Sequence, residues 1–122
     1  MPLEWVADPD PRIIRFTARA EPPTLEQIEA KLLELKARVG PEWSGLVLND
    51  ATAFPAPSAE YMRRIVPAFA QMAKRVGIRR YAILTSEVVM YGMGRMASYL
   101  ADSVLEIEAF GDEEEARSWL LR

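Results

Sequence analysis

Apolar and polar positions recur along the chain with two periodicities, one typical of strands and one typical of helices. Short segments with a period of two, or with an apolar centre, predict strands at 3–7, 12–19, 44–49, 80–85 and 104–110. Between them, apolar residues recur at steps of three and four and predict helices. The predicted helical stripes are Leu25, Ile28, Leu32, Leu35 and Val39, then Met62, Ile65, Phe69, Met72 and Val76, then Val89, Met93, Met96 and Leu100. With a last helix after the fifth strand, the predicted order is β-β-α-β-α-β-α-β-α.

Local signals indicate where several of these elements begin and end. Asp8-Pro9-Asp10-Pro11 predicts a turn between the first two strands, because prolines so close together do not fit a central strand. Thr24 with Gln27 predicts a capping box at the first helix, and Ser58 predicts the N-cap of the second. Pro67 lies inside the second helical pattern, so we expect a kink or a break just before it.

The end of the chain carries the most informative local pattern. The strand predicted at 104–110 is followed closely by Asp112, which predicts the N-cap of the last helix. Glu115, three residues further on, would complete a capping box. We expect Trp119 and Leu120 to face the sheet, so this acidic segment indicates a capped helix and not a functional tail.

Strands that alternate with helices predict a mixed, mainly parallel sheet with helices packed on it. We expect the first strand to pair with the second as an antiparallel hairpin. A chain of 122 residues corresponds to one domain, 1–122, with a core large enough to need no cross-links.

Composition narrows the classes of function. The net charge is −3, and the chain contains neither cysteine nor histidine. Disulfides, thiolate nucleophiles and histidine general bases are therefore excluded. A hydrolase or transferase is disfavoured, although the composition does not exclude Asp, Ser or Lys chemistry. We expect no catalytic residue, no cofactor and no metal site, and the acidic balance argues against nucleic acid as a partner.

The start of the chain lacks the basic and apolar regions of a signal peptide. No apolar run approaches the ~20 residues that cross a bilayer. We therefore expect a cytoplasmic protein without a transmembrane segment.

Three segments resemble one known family. They are 45–50 (Gly-Leu-Val-Leu-Asn-Asp), 79–84 (Arg-Arg-Tyr-Ala-Ile-Leu) and 106–120, which reads as a strand, an acidic turn and a closing Ala-x-x-Trp-Leu helix. In this order they resemble the STAS domain, the anti-sigma-factor-antagonist fold, and more closely the SpoIIAA-like (STAS/SEC14-type) group of small bacterial proteins. The resemblance covers nearly the whole chain. It implies an α/β fold with an N-terminal β-hairpin and four helices on a mixed, mainly parallel sheet, and a non-enzymatic protein-interaction or regulatory module.

The resemblance also implies a place for regulation. In phospho-switch members of the STAS family, a kinase partner phosphorylates a serine in an Asp-Ser-Ser-Gly-like turn, shortly after a strand that ends in Asp. The corresponding segment here is 50–60, where Ser58 stands nearest the switch position and Thr52 is a second hydroxyl. The paired acid, the second serine and the glycine of that turn are missing. Ser58 is thus interpreted as a helix cap, or as a phosphosite or ligand contact.

Ligands favour the carboxyl ends of parallel strands. We therefore place the candidate site at Asp50, Thr52 and Ser58, with Ser86 at the next helix start beside them. A protein partner or self-association as a homodimer would fit such a site.

Methionine is concentrated in the second and third predicted helices, at Met62, Met72, Met90, Met93 and Met96. Core packing is one interpretation, since methionine fills irregular gaps. The other is an adaptable apolar pocket lined by Phe69, Met90, Tyr91 and Met93. Such a pocket would make the chain a carrier or sensor of a small apolar or lipid ligand.

Residues 92–97 (Gly-Met-Gly-Arg-Met-Ala) are similar in spacing to a dinucleotide-binding motif. That motif requires its first glycine directly after a strand, whereas residues 86–91 separate Thr85 from Gly92 here. The glycines fall within the third predicted helix, so we expect close packing or local unwinding and not a cofactor.

Charge is distributed unevenly. The middle of the chain is basic, through Arg63, Arg64, Lys74, Arg75, Arg79 and Arg80, and residues 113–115 are three glutamates. Each cluster is consistent with a solvated face, and the acidic run also stabilises its helix. The alternatives are complementary patches in a homodimer, or a basic side that meets an acidic partner.

Overall fold

The computed structural model describes residues 3–7, 10, 12–18, 22–40, 42–53, 58–101 and 104–122, without the side chains of residues 3, 4, 7, 18, 88–91 and 93. Strands and helices follow the predicted order. Their bounds are β1 Leu3–Ala7, β2 Ile13–Ala18, α1 Leu25–Arg38, β3 Leu46–Asp50, α2 Ala59–Arg75, β4 Arg80–Leu84, α3 Val88–Ala101, β5 Glu106–Phe110 and α4 Glu113–Leu121. Most of the turn predicted at 8–11 lies outside the described residues.

The strands form one sheet in the order β1-β2-β3-β4-β5. β1 pairs antiparallel with β2, with Trp5 opposite Phe16, which confirms the predicted hairpin. The remaining neighbours are parallel, so that Leu48 lies opposite Arg15 on one side and Ala82 on the other. Because each strand lies next to its neighbour in sequence, the loops that follow β3 and β4 are adjacent.

The two faces of the sheet carry two separate cores. α1, α2 and α3 cover one face, where Phe16, Val47, Tyr81 and Ile107 belong to the larger core. α4 covers the other face in a smaller core of Ile13, Leu46, Leu48, Ala82, Leu84, Ala116 and Leu120. Since side chains alternate along a strand, Arg15 projects on the same side as Ile13, toward α4.

The predicted helix caps are confirmed, with one difference. Thr24 and Gln27 form the capping box of α1, and the Ser58 hydroxyl accepts a hydrogen bond from the N–H of Tyr61 over 3.0 Å. The Asp112 carboxylate accepts its hydrogen bond from the N–H of Glu114 over 3.0 Å, not from that of Glu115. An aspartate N-cap can satisfy either free N–H of the first turn.

Of the predicted stripe of α3, Met96 and Leu100 pack against the larger core, and the side chains of Val89 and Met93 lie outside the described residues. Ala97 and Ala101 are buried, together with Gly94, whereas Met96 and Leu100 are only half-buried. A Cβ added to Gly94 would collide with the Cβ of Ala109 on β5, so the glycine permits a close approach of helix and strand. The expectation of close packing is therefore confirmed at Gly94, and Gly92 faces open space.

Of the kink or break expected before Pro67, the break does not occur, since α2 is one helix from Ala59 to Arg75. Pro67 lies on the exposed side of that helix. A carbonyl left without its N–H partner one turn earlier can bind water on that side, which lowers the cost of the proline.

Candidate functional site

The loops after β3 and β4 form one continuous edge. The N–H of Ala51 donates to the carbonyl of Leu84, and the N–H of Thr85 donates to the carbonyl of Phe110, both over 2.9 Å. These bonds continue the parallel ladder beyond the strand ends. The predicted site residues Asp50, Thr52 and Ser86 thus lie at the same carboxyl edge of the sheet.

A tight polar turn follows β3. The Asp50 carboxylate accepts hydrogen bonds from the N–H and the hydroxyl of Thr52, over 3.1 and 2.6 Å. Partial burial acts to raise the pKa of Asp50, but the hydrogen bonds from Thr52 and Arg15 outweigh it and lower the pKa below its usual value. The turn therefore presents an exposed threonine beside a carboxylate that stays ionised.

Arg15 connects this turn to α4. Its Nη2 lies 2.8 Å from Asp50 Oδ2, and its Nη1 lies 3.3 Å from Glu113 Oε1. Arg117 binds the other oxygen of Glu113 over 2.9 Å. The network joins β2, the end of β3 and the first turn of α4, and it holds the turn at Asp50 in place.

Sequence reasoning did not find the Arg15 network. A signal was present, because Arg15 is a cation two residues after the buried Ile13 and therefore on the same face of β2. A charge on a face that is otherwise apolar needs a partner. The partner Glu113 could not be identified from spacing, since it is distant in sequence.

The predicted serines differ in their surroundings. Ser58 is exposed and caps α2, and Ser86 is exposed at the turn before α3. Next to Ser86, the buried Thr85 hydroxyl accepts a hydrogen bond from the N–H of Glu87 over 3.2 Å. Residues 54–57, between the Asp50 turn and Ser58, lie outside the described residues.

Asn49 on β3 and Tyr81 on β4 form a buried polar pair on the face of the sheet that α2 covers. Burial raises the pKa of the Tyr81 phenol, against a smaller lowering by the hydrogen bond from Asn49. The Asn49 Oδ1 atom is buried without a hydrogen-bond partner. Tyr81 therefore remains protonated at neutral pH, and it packs edge-on against Phe69 with the ring centroids 4.9 Å apart.

The predicted apolar pocket is described only in part. Phe69 is buried in the larger core, where its ring packs on Tyr81. The side chains of Met90, Tyr91 and Met93 lie outside the described residues. Met62 is buried in the same core, and Met72 and Met96 pack against it, which supports core packing for these three methionines.

The basic residues of the middle segment divide into two groups: Arg79 and Arg80 donate to backbone carbonyls, and the other four lie exposed on α2. The Nε of Arg79 donates to the carbonyl of Ser44 over 2.8 Å. Arg80, on β4, donates to the carbonyls of Trp119 and Arg122 over 2.8 Å each and lies 3.1 Å from Glu106, so it terminates α4 and is not part of a solvated helix face. The exposed cations of α2 are Arg63, Arg64, Lys74 and Arg75. Within the described ranges, these four form no hydrogen bond or ion pair through their side chains.

Two grooves contain none of the predicted site residues. One of about 440 Å³ runs along α4 and is lined by Phe110, Asp112, Glu114, Glu115, Ser118, Trp119 and Arg122. The other, of about 300 Å³, is lined by Lys36, Val39, Gly40, Trp43, Val76 and Gly77.

In the part of the chain that the structure describes, no three acidic side chains meet as a metal site. Within the same residues, no helix combines the length and the apolar character needed to cross a membrane.

Comparison with known proteins identifies the fold. No protein-family model matches the sequence, and no curated protein matches it either. Among solved structures, the chain is similar to an uncharacterized protein of the DUF3478 family from Shewanella loihica PV-4, described as having a SpoIIAA-like fold. The TM-score is 0.61 at 20% identity, and the similarity covers 97% of this chain and 91% of the other. The sheet order, the hairpin and this similarity together show that the chain has the SpoIIAA-like, STAS-type fold.

Proposed function

We propose that this chain is a non-catalytic protein-interaction module with a regulatory role, whose partner binds at the carboxyl edge of the sheet. The observation that carries the proposal is the turn at Asp50. Thr52 is exposed, yet its hydroxyl is held 2.6 Å from Asp50, which in turn is held 2.8 Å from Arg15. A polar surface that is already ordered binds a partner at a smaller entropic cost.

The charge state of the edge favours binding over catalysis. A general base works best when its pKa lies near the working pH. The hydrogen bonds from Thr52 and Arg15 lower the pKa of Asp50 and make this carboxylate a weak base. Because the chain has no histidine or cysteine, neither of these side chains can take over that role.

If the module is regulated by phosphorylation, the local electrostatics favour Ser58 over Thr52. A phosphate on Ser58 would lie at the N-terminus of α2, where the helix dipole and free N–H groups stabilise negative charge. A phosphate on Thr52 would lie beside the ionised Asp50 and be repelled by it. Kinase treatment followed by phosphosite mapping checks this order, and modification of Thr52 alone would contradict it.

Site-specific photo-crosslinking in cells tests the proposed binding edge. A photoreactive residue at Thr52 or Ser86 should give a discrete protein adduct. The same residue at Ala37 is the control, because Ala37 is exposed near the end of α1, at the opposite edge of the sheet. Equal adducts at all three positions, or none at Thr52 and Ser86, would contradict a partner site at the carboxyl edge.

The carrier of a small apolar or lipid ligand stays a prediction. Three of the four side chains that would line its pocket, those of Met90, Tyr91 and Met93, lie outside the described residues. The homodimer and the cytoplasmic location likewise remain predictions.

A further inference from the structure

The outer surface of α2 carries an excess of positive charge on an acidic chain. Along its length α2 has four cations and a single acid, Glu60, while the whole chain has a net charge of −3. Arg64, Gln71 and Arg75 recur at steps of seven and four, so they share the outward stripe of the helix. Arg63 and Lys74 flank that stripe.

These cations lack the compensation that is usual on helix surfaces. Opposite charges three or four residues apart commonly pair along a helix. Lys74 and Arg75 have no acid at those distances within α2, and Glu60 is not within ion-pair distance of Arg63 or Arg64. Within the described ranges the surface therefore offers unpaired guanidinium and ammonium groups to a partner.

An exposed aromatic side chain lies on the neighbouring helix. α3 packs against α2, and its Tyr99 is 82% exposed, more than any other large apolar side chain of the described residues. Tyrosine and arginine are the residue types that most often dominate the binding energy of protein interfaces. Tyr99 is thus an exposed aromatic side chain on the helix that packs next to α2.

We propose that the outer surface of α2, with Arg63, Arg64, Lys74 and Arg75, docks an acidic segment of a partner protein that also contacts the exposed Tyr99 of the neighbouring α3. This surface is distinct from the carboxyl-edge site, so the inference goes beyond the proposed function. Unpaired cations attract carboxylates and steer their approach. The tyrosine supplies a contact that charge alone does not.

Other occupants fit the surface less well. An anionic membrane would require large apolar side chains on the outward stripe, and that stripe is Arg64, Gln71 and Arg75. Nucleic acid would be repelled by the net negative charge of the rest of the chain. A second copy that offered the glutamates of α4, on the opposite side of the sheet, would make a head-to-tail contact, which does not close into a dimer.

Binding of a defined acidic probe tests the proposal. The probe is a fluorescein-labelled amphipathic peptide rich in glutamate, titrated with the full chain and followed by fluorescence anisotropy. Affinity should fall as salt rises, and R64Q/R75Q should weaken binding about five- to tenfold. Y99A should weaken it by a similar factor.

The matched control is K36Q/R122Q, which removes two exposed cations outside α2 and changes the net charge equally. It should leave the affinity within about twofold. Equal weakening by the control, no binding of the peptide, or preferred binding to phosphatidylserine vesicles or single-stranded RNA would overturn the proposal. Self-association in sedimentation velocity that R64Q/R75Q abolishes would overturn it in favour of a second copy.

Discussion

Arginine has different roles on the two sides of this sheet. On the α4 side, Arg15 joins Asp50 to Glu113, and Arg80 binds the last carbonyls of α4. On the outer surface of α2, Arg64 and Arg75 project into solvent without an ion-pair partner among the described residues. The difference follows from burial, because the side chains of Arg15 and Arg80 are only 22% and 21% exposed and must replace lost water with hydrogen bonds.

The comparison distinguishes charged side chains that stabilise the fold from charged side chains that are available to bind a partner. The layer of α1, α2 and α3 is held by apolar packing, with its charges outside. α4 combines a smaller core with ion pairs. Changes in packing should therefore cost most in the three-helix layer, while changes in charge should cost stability on the α4 side and binding on the α2 side.

The largest effect is expected where α3 meets β5. Gly94→Ala should lower the free energy of unfolding by about 2 to 3 kcal/mol, because its Cβ would collide with that of Ala109. Gly92→Ala, on the open side of the same helix, should raise it by about 0.5 to 1 kcal/mol. Chemical denaturation of both variants measures the contrast.

A second substitution shows whether the collision is the cause. Ala109→Gly removes the opposing Cβ, so G94A/A109G should be less destabilised than the sum of the two single variants. Simple additivity in this cycle would mean that Gly94 matters for another reason, and the packing explanation would be abandoned.

On the α4 side, Arg15→Met should lower the free energy of unfolding by about 2 kcal/mol. Methionine keeps the apolar stem but leaves Asp50 and Glu113 without their shared cation. The same change at the exposed Arg64 should stay within about 0.5 kcal/mol. A loss at Arg64 as large as that at Arg15 would remove the distinction between the two sides.

Most of the fold could be predicted from the sequence because its signals are local. The hairpin, the order of elements and the caps at Thr24, Ser58 and Asp112 each depend on residues a few positions apart. The most buried positions of α3 were not predicted, because periodicity selects large apolar residues such as Met96 and Leu100, which pack half-buried against the larger core. The close approach to β5 instead uses the small residue Gly94, and the small Ala97 is buried on the same helix.

The candidate site could be predicted in position but not in its interactions. Parallel strands place Asp50 and Ser86 at one edge, and this follows from the order of elements alone. The ion pair between Arg15 and Glu113 depends on how α4 returns over the sheet, which no spacing along the chain encodes. That contact ties the end of β3 to the last helix.

Unfolding at acidic pH should reveal the contribution of Asp50 to the stability of the fold. Burial acts to raise the pKa of Asp50, yet hydrogen bonds from Thr52 and Arg15 bring this pKa below 3.8 in the folded chain. The unfolded chain therefore binds a proton more readily than the folded chain as the pH falls. The stabilisation is present above about pH 5 and is lost through the folded pKa. In Asp50→Asn, unfolding free energy measured from pH 7 to pH 3 should be lower at neutral pH and fall less steeply. Parallel curves for the two proteins would contradict this linkage.

A negative charge should have opposite effects at the two hydroxyls of the edge. Thr52→Asp places a second carboxylate beside Asp50 and should cost about 1 kcal/mol. Ser58→Asp keeps an N-cap oxygen and adds charge at the start of α2, so stability should be unchanged or rise by up to about 0.5 kcal/mol. Thermal denaturation at low salt distinguishes them, and equal losses would contradict the opposite effects expected from the Asp50 carboxylate and from the N-terminus of α2.

The smallest effect on stability is expected on the outer surface of α2. In R64Q/R75Q, two cations become neutral that each stand next to another cation, Arg63 or Lys74, and have no described partner. The free energy of unfolding should therefore change by no more than about 0.5 kcal/mol. Chemical denaturation at low and high salt measures this, and any gain at low salt should shrink as ions screen the repulsion. A loss near that of Arg15→Met would mean that these arginines hold the fold together, and a weaker peptide affinity could then no longer be assigned to a lost docking contact.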